Sequence, residues 1–157
     1  MSEDALAAYA EPAPVAVVHV TRKFAAPRER VFRAWTEPDA VGRWFGHKLG
    51  PRPSVEADVR VGGHWRITMR APIGDRRMYV GGTYLEVEPP ERLVYTFAWR
   101  GNPITHGMRD SKVTVEFRAL AEGTEVRLTH ELLDKRRIRA FHTWGWGVSM
   151  KRLARLL

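Results

Sequence analysis

The stretch "SVEADVRVGGHWRITMRA", Ser54 to Ala71, decides the fold. Val55, Ala57, Val59 and Val61 alternate with Glu56, Asp58 and Arg60. Beyond Gly62 and Gly63, the residues Trp65, Ile67 and Met69 alternate with His64, Arg66, Thr68 and Arg70. A period of two places one set on each face of a strand, so both halves read as half-buried strands. The paired glycines mark a hairpin turn between them. Val55, Val59, Trp65 and Met69 are expected inside.

The same alternation continues downstream. "RMYVGGTYLEVEPP", "RLVYTFAW", "SKVTVEFRAL" and "TEVRLTHELL" read as further strands, separated by turn signals at "IGDRR" and "AEGT". Upstream, "VAVVHVTRKFAA" (Val15 to Ala26) is a β-branched strand closed by Pro27. "PRERVFRAWTEP" then reads as a helix, with Pro27 at its first position and Val31, Ala34 and Trp35 on one face. "PDAVGRWFG" reads as a second short helix, stopped at Gly46. The chain closes on a longer helix, "AFHTWGWGVSMKRLARLL" (Ala140 to Leu157), for which Asp134 is the expected cap. A strand, two short helices, a long meander and a terminal helix make an α+β pattern.

The terminal helix combines bulky aromatics with two residues that weaken helices. Trp146, Met150, Leu153 and Leu157 recur at spacings of four, three and four, a core stripe. Phe141, Gly145 and Val148 form a neighbouring stripe. Glycine in a helix interior costs about 1 kcal/mol relative to alanine, and the expected return is close approach of the backbone to the sheet or to a bound molecule.

The 157 residues are one domain's worth, with 1–14 as a loose Ala- and Pro-rich tail and 15–157 as the folded unit. There is no cysteine, which excludes disulfides and thiolate metal sites and fits a reducing compartment. The start lacks a signal-peptide apolar run, and no stretch approaches the ~18 apolar residues that span a bilayer. The expectation is a soluble, cytoplasmic protein. The net charge is +8; the first 14 residues hold three acids and no base, which leaves +11 for the rest. These bases are dispersed, and "KRRIR" (Lys135 to Arg139) is the densest run. They read as a solvated surface, with no specific nucleic-acid partner.

Five segments carry a resemblance. "EPDAVGRWFG", "VRVGGHWRITMRAP", "GGTYLEVEPPERLVYTFAW", "VTVEFRALAEGTEVRLTHELL" and "GWGVSMKRLARLL" are similar to the bacterial homologues of the activator of the 90-kilodalton heat-shock protein's ATPase. That group lies in the START-like, or SRPBCC, superfamily with the birch-pollen-allergen fold. The resemblance covers about Val15 to Leu157. It implies a helix-grip fold: a curved seven-stranded antiparallel sheet around a long C-terminal helix, with two short helices closing one end. It also implies a cavity between sheet and helix that takes a small, largely apolar ligand such as a lipid or polyketide. The segment "RGNPITHGMRDS" and the extra Trp144 and Gly147 of "HTWGWG" depart from the family pattern where the cavity would be lined.

The candidate ligand-binding residues are Trp65, Met69, Tyr95, Phe97 and Trp99 from the strands, His130 from "VRLTHELL", and Phe141 and Trp144 from the helix. Tyr95, Phe97 and Trp99 face inward in one register and outward in the other. His130 is in phase with Val126, Leu128 and Leu132. It is either a satisfied core histidine or a polar anchor for a ligand. Phe141 and Trp144 fit a pocket roof and ordinary core equally. His64 and His106 are expected to be exposed. Catalysis finds little support: no HxH or HExxH spacing, no GxSxG elbow around Ser2, Ser54, Ser111 or Ser149, and no phosphate loop. No cofactor is expected. The rival readings are a protein-interaction module like the co-chaperone namesake and a cyclase, hydratase or hydrolase using the same cavity; a homodimer is left open.

Overall fold

Strand β1 spans Val18–Phe24, followed by helices α1 (Arg28–Thr36) and α2 (Pro38–Trp44). Six strands follow: β2 (Ser54–Ala57), β3 (His64–Arg70), β4 (Arg77–Glu88), β5 (Arg92–Arg100), β6 (Ser111–Leu120) and β7 (Gly123–Glu131). The long helix α3 (Arg136–Leu156) closes the chain. The computed structural model describes residues 16–46, 51–70 and 76–157. The seven strands form one sheet in the order β1-β7-β6-β5-β4-β3-β2, and every paired neighbour is antiparallel. This is the expected α+β helix-grip arrangement.

Alternation decides which side of the sheet faces α3. Trp65, Ile67 and Met69 of β3, Val113, Val115 and Phe117 of β6, and Val126, Leu128 and His130 of β7 are all buried. Tyr95 and Phe97 of β5 share the inward register, so that strand's aromatics face the core. Helix α3 answers with Trp146, Met150 and Leu153, also buried. Each such side chain contributes about 1.5–3 kcal/mol on leaving water.

The two short helices close one end. Trp35 of α1 stacks on Trp146 (6.4 Å between centroids) and meets Phe117 edge-on. Trp44 donates its indole N–H to the Ala34 carbonyl at 2.8 Å. The Arg152 guanidinium of α3 donates to the Arg43 and Gly46 carbonyls, each at 2.9 Å. A cation thus caps the carbonyl end of α2, where the helix dipole favours it.

Four local expectations are corrected. Strand β2 stops at Ala57, and Asp58–Gly63 is a wider excursion whose far end is tied to β4: Gly62 N–H donates to the Tyr84 carbonyl and Tyr84 N–H to that of Gly63. Val59 is therefore only half-buried and Val61 is 65% exposed. Pro27 occupies the cap position of α1, one residue before the helix. Asp134 does not cap α3; its carboxylate pairs with Arg109 at 2.7 Å, and Lys135 sits at the cap without a side-chain bond. Leu132 leaves the β7 alternation, because its backbone turns to a φ of 67° and its side chain is exposed. The 1–14 segment and most of the turn expected around "IGDRR" lie outside the described residues.

Candidate functional site

Between α3, β3–β5 and the segment after β5 lies a pocket of about 370 Å³. Its wall is overwhelmingly apolar. Met69, Met78, Phe97 and Trp99 form the sheet side, and Phe141, Trp144 and Trp146 form the helix side. Phe45 and Gly46 close one end; Asn102, Pro103 and Ile104 close the other. Trp99 meets Phe141 edge-on at 6.1 Å, and Phe141 lies 6.5 Å from Trp144. Trp144 is 58% exposed, which puts its ring at the mouth. Gly46 has a φ of +80°, a left-handed conformation that strains any side chain, so this end of the pocket favours glycine.

The structure sorts the sequence-derived candidates into three groups. Met69, Phe97, Trp99, Phe141 and Trp144 meet around this pocket. Trp65 and Tyr95 instead line a smaller space of about 40 Å³ beneath α1 and α2, bounded also by Trp35 and Trp44. Phe97, Phe45 and Trp146 separate the two spaces. Burial pushes the Tyr95 hydroxyl's pKa up, and that oxygen accepts from the Trp35 indole at 3.2 Å. His130 lines neither space.

His130 is fully buried and fully bonded. The Trp146 indole N–H donates to its Nδ1 at 3.1 Å. Its Nε2 lies 2.7 Å from Ser111 Oγ, and that hydroxyl donates to the Phe97 carbonyl at 2.6 Å. Ser111 therefore accepts from Nε2–H, and the ring is the neutral Nε2–H tautomer with both nitrogens used. Burial, and secondarily His142, hold its pKa well below the ordinary histidine value.

His142 is the residue the sequence reading missed. It faces the pocket and is buried. Its Nδ1–H donates to the Ile138 carbonyl (2.7 Å) and its Nε2 accepts the Trp99 indole N–H (3.1 Å). Burial lowers its pKa to about 4. It stands four residues before Trp146, so the helical spacing that identified the core stripe extends back to it. Asn102 was equally unassigned, although Asn followed by Pro is a helix-start signature. It caps the 3₁₀ turn Pro103–Thr105 through Ile104 N–H.

The expectation that the α3 glycines bring the helix backbone close to the sheet is corrected: a Cβ added at Gly145 or Gly147 would meet nothing within 4 Å. Gly145 borders the pocket and Gly147 faces solvent.

Among the described residues, no group of three or more His, Cys, Asp or Glu could hold a metal. No described helix is long and apolar enough to cross a membrane.

No curated protein matches the chain. Solved structures do. CV1439 from Chromobacterium violaceum is 28% identical, with a TM-score of 0.73 over 90% of this chain and 96% of that one. An uncharacterised protein from Rhizobium leguminosarum is 25% identical, with a TM-score of 0.76 over 88% and 91%. DynU16, from the dynemicin biosynthetic locus, is 24% identical with a TM-score of 0.72; the match covers 90% of this chain and 47% of DynU16, and it speaks to the fold alone. The model of a family described as Activator of Hsp90 ATPase homolog 1-like protein matches residues 25–157. That span takes in α1 and α2, six of the seven strands, the pocket wall and α3, and the chain belongs to this family.

Proposed function

We propose that residues 15–157 form a small-molecule binding unit that holds a largely apolar, aromatic ligand in the larger pocket. The observation that carries this reading is the contrast between the two spaces. The one beneath α1 and α2 is too small for anything beyond a water or two, at about 40 Å³. The one against α3, at about 370 Å³, lies in the size range of ligand sites and has their chemistry: an apolar wall with a few buried polar groups. Aromatic and methionine side chains suit flat, polarisable ligands. The lack of cysteine fits a reducing compartment such as the cytoplasm.

Titration with N-phenyl-1-naphthylamine, an uncharged apolar fluorophore, tests the reading. The probe is expected to bind the native protein at micromolar concentration and to raise its melting temperature, because it binds the folded state alone. Fluorescence that rises only as the protein unfolds, with no thermal shift, would refute it.

A further inference from the structure

The pocket's polar groups have unspent capacity of one kind. Asn102, His142 and Ser149 are its buried polar side chains. His142 has both nitrogens bonded. Ser149 Oγ accepts the Gly46 amide N–H at 3.0 Å, but its own hydrogen finds no acceptor among the described residues. A helical serine ordinarily donates to the carbonyl one turn earlier, as Thr143 does to Arg139 at 2.9 Å; Ser149 does not. Asn102 Oδ1 accepts the Ile104 amide at 3.0 Å, while its Nδ2 donates to nothing among the described residues. Ser149 is 2% exposed and Asn102 7%.

A buried donor without a partner costs about 1–3 kcal/mol, and native structures rarely leave one without a reason. Here two of them line one apolar pocket. They stand at opposite ends. Asn102 begins the 3₁₀ turn whose Ile104 carbonyl accepts from Arg137, one turn before Phe141. Ser149 lies eight residues past Phe141 on the same helix, about 12 Å along the axis. Trp99, Phe141 and Trp144 fill the interval with ring surface.

We propose that Asn102 Nδ2–H and Ser149 Oγ–H are the two donors that orient the ligand, and that the ligand is an elongated aromatic molecule carrying an acceptor oxygen, carbonyl or ether, toward each end. This rests on the pocket-binding reading above and adds its polarity.

Matched probes separate the two claims: 4,4′-diethylbiphenyl, its analogue with one ethyl replaced by acetyl, and 4,4′-diacetylbiphenyl, titrated against the full chain by tryptophan quenching. Each acetyl is expected to tighten binding about fivefold, the worth of one net hydrogen bond of ~1 kcal/mol. Ser149→Ala, and Asn102→Asp (whose carboxylate keeps an oxygen for Ile104 N–H and has no N–H to give), should each lower the diacetyl-to-diethyl affinity ratio about fivefold. Ser149→Thr should keep it, because it keeps the hydroxyl. Should all three probes bind equally well, or the ratio survive both donor-removing variants, the two-donor assignment is wrong while the pocket stands. If none of the three binds, both fall.

Discussion

The indole of Trp99 on β5 donates to Nε2 of His142 on α3 at 3.1 Å, joining sheet to helix at the pocket wall. The bond fixes the protonation state of its acceptor. His142 Nδ1–H is already given to the Ile138 carbonyl, so a proton added at Nε2 would face the Trp99 N–H and break the pair. Burial lowers the His142 pKa to about 4, against the opposing pull of the Ile138 hydrogen bond. His130 is lowered by burial and, secondarily, by His142, whose ring centroid lies 4.7 Å from its own.

Acid should therefore destabilise the fold before its carboxylates titrate. Unfolded, both histidines bind protons near their ordinary value of about 6.5, whereas the folded state refuses them. The unfolded state holds more protons, so stability is fully present above pH ~6.5 and falls as pH drops toward the folded values. His142 alone accounts for up to about 3 kcal/mol by pH 4. Denaturant midpoints between pH 7.5 and pH 4 should fall with a slope approaching two protons, and His142→Gln should remove about one of them. A flat profile over that range would show that the histidines titrate freely.

The tryptophans of α3 should divide by role. Trp146 is buried against Trp35, Phe45 and Phe97 and donates to His130, so Trp146→Ala should cost about 3–5 kcal/mol. Trp144 is mostly exposed, and Trp144→Ala should change stability by no more than about 0.5 kcal/mol while weakening the fluorophore's binding several-fold. Calorimetry and titration on both variants decide this; a Trp144 variant that loses stability but not affinity contradicts the mouth assignment.

The two helix glycines give a paired test. Gly145→Ala and Gly147→Ala both place a methyl in open space, so each should stabilise the protein by up to about 1 kcal/mol. Only Gly145 borders the pocket, so only that variant should also reduce fluorophore affinity. Thermal melts and probe titrations of the two proteins check the separation.

What was legible in the sequence was periodicity. Alternation in β3 and β7 placed Trp65, Met69 and His130 on the apolar face, and spacing of three and four placed Trp146, Met150 and Leu153. Alternation failed at Val61 and Leu132, because each lies where the backbone departs from the ladder: one on an excursion tied to Tyr84, the other at a positive φ. The polar half of the site was not legible. Ser149 and Asn102 matter through what they lack among the described residues, an acceptor, and that depends on elements far apart in the chain. Nor does a pattern of apolar residues tell a filled space from an open one. Trp65 and Phe141 are aromatics of the same kind in sequence, yet one faces a space of about 40 Å³ and the other one of about 370 Å³.

The chain has six tryptophans, and each carries an indole N–H that reports on its surroundings. Trp99, Trp144 and Trp146 line the larger pocket, while Trp35, Trp44 and Trp65 do not. Two-dimensional ¹⁵N–¹H spectra recorded through a titration with N-phenyl-1-naphthylamine resolve all six. Binding in the pocket predicts saturable shifts of the Trp99, Trp144 and Trp146 indole signals while the other three stay close to their starting positions. Shifts confined to Trp35, Trp44 and Trp65, or no saturable shift in any of the six, would contradict a ligand site between the sheet and the C-terminal helix.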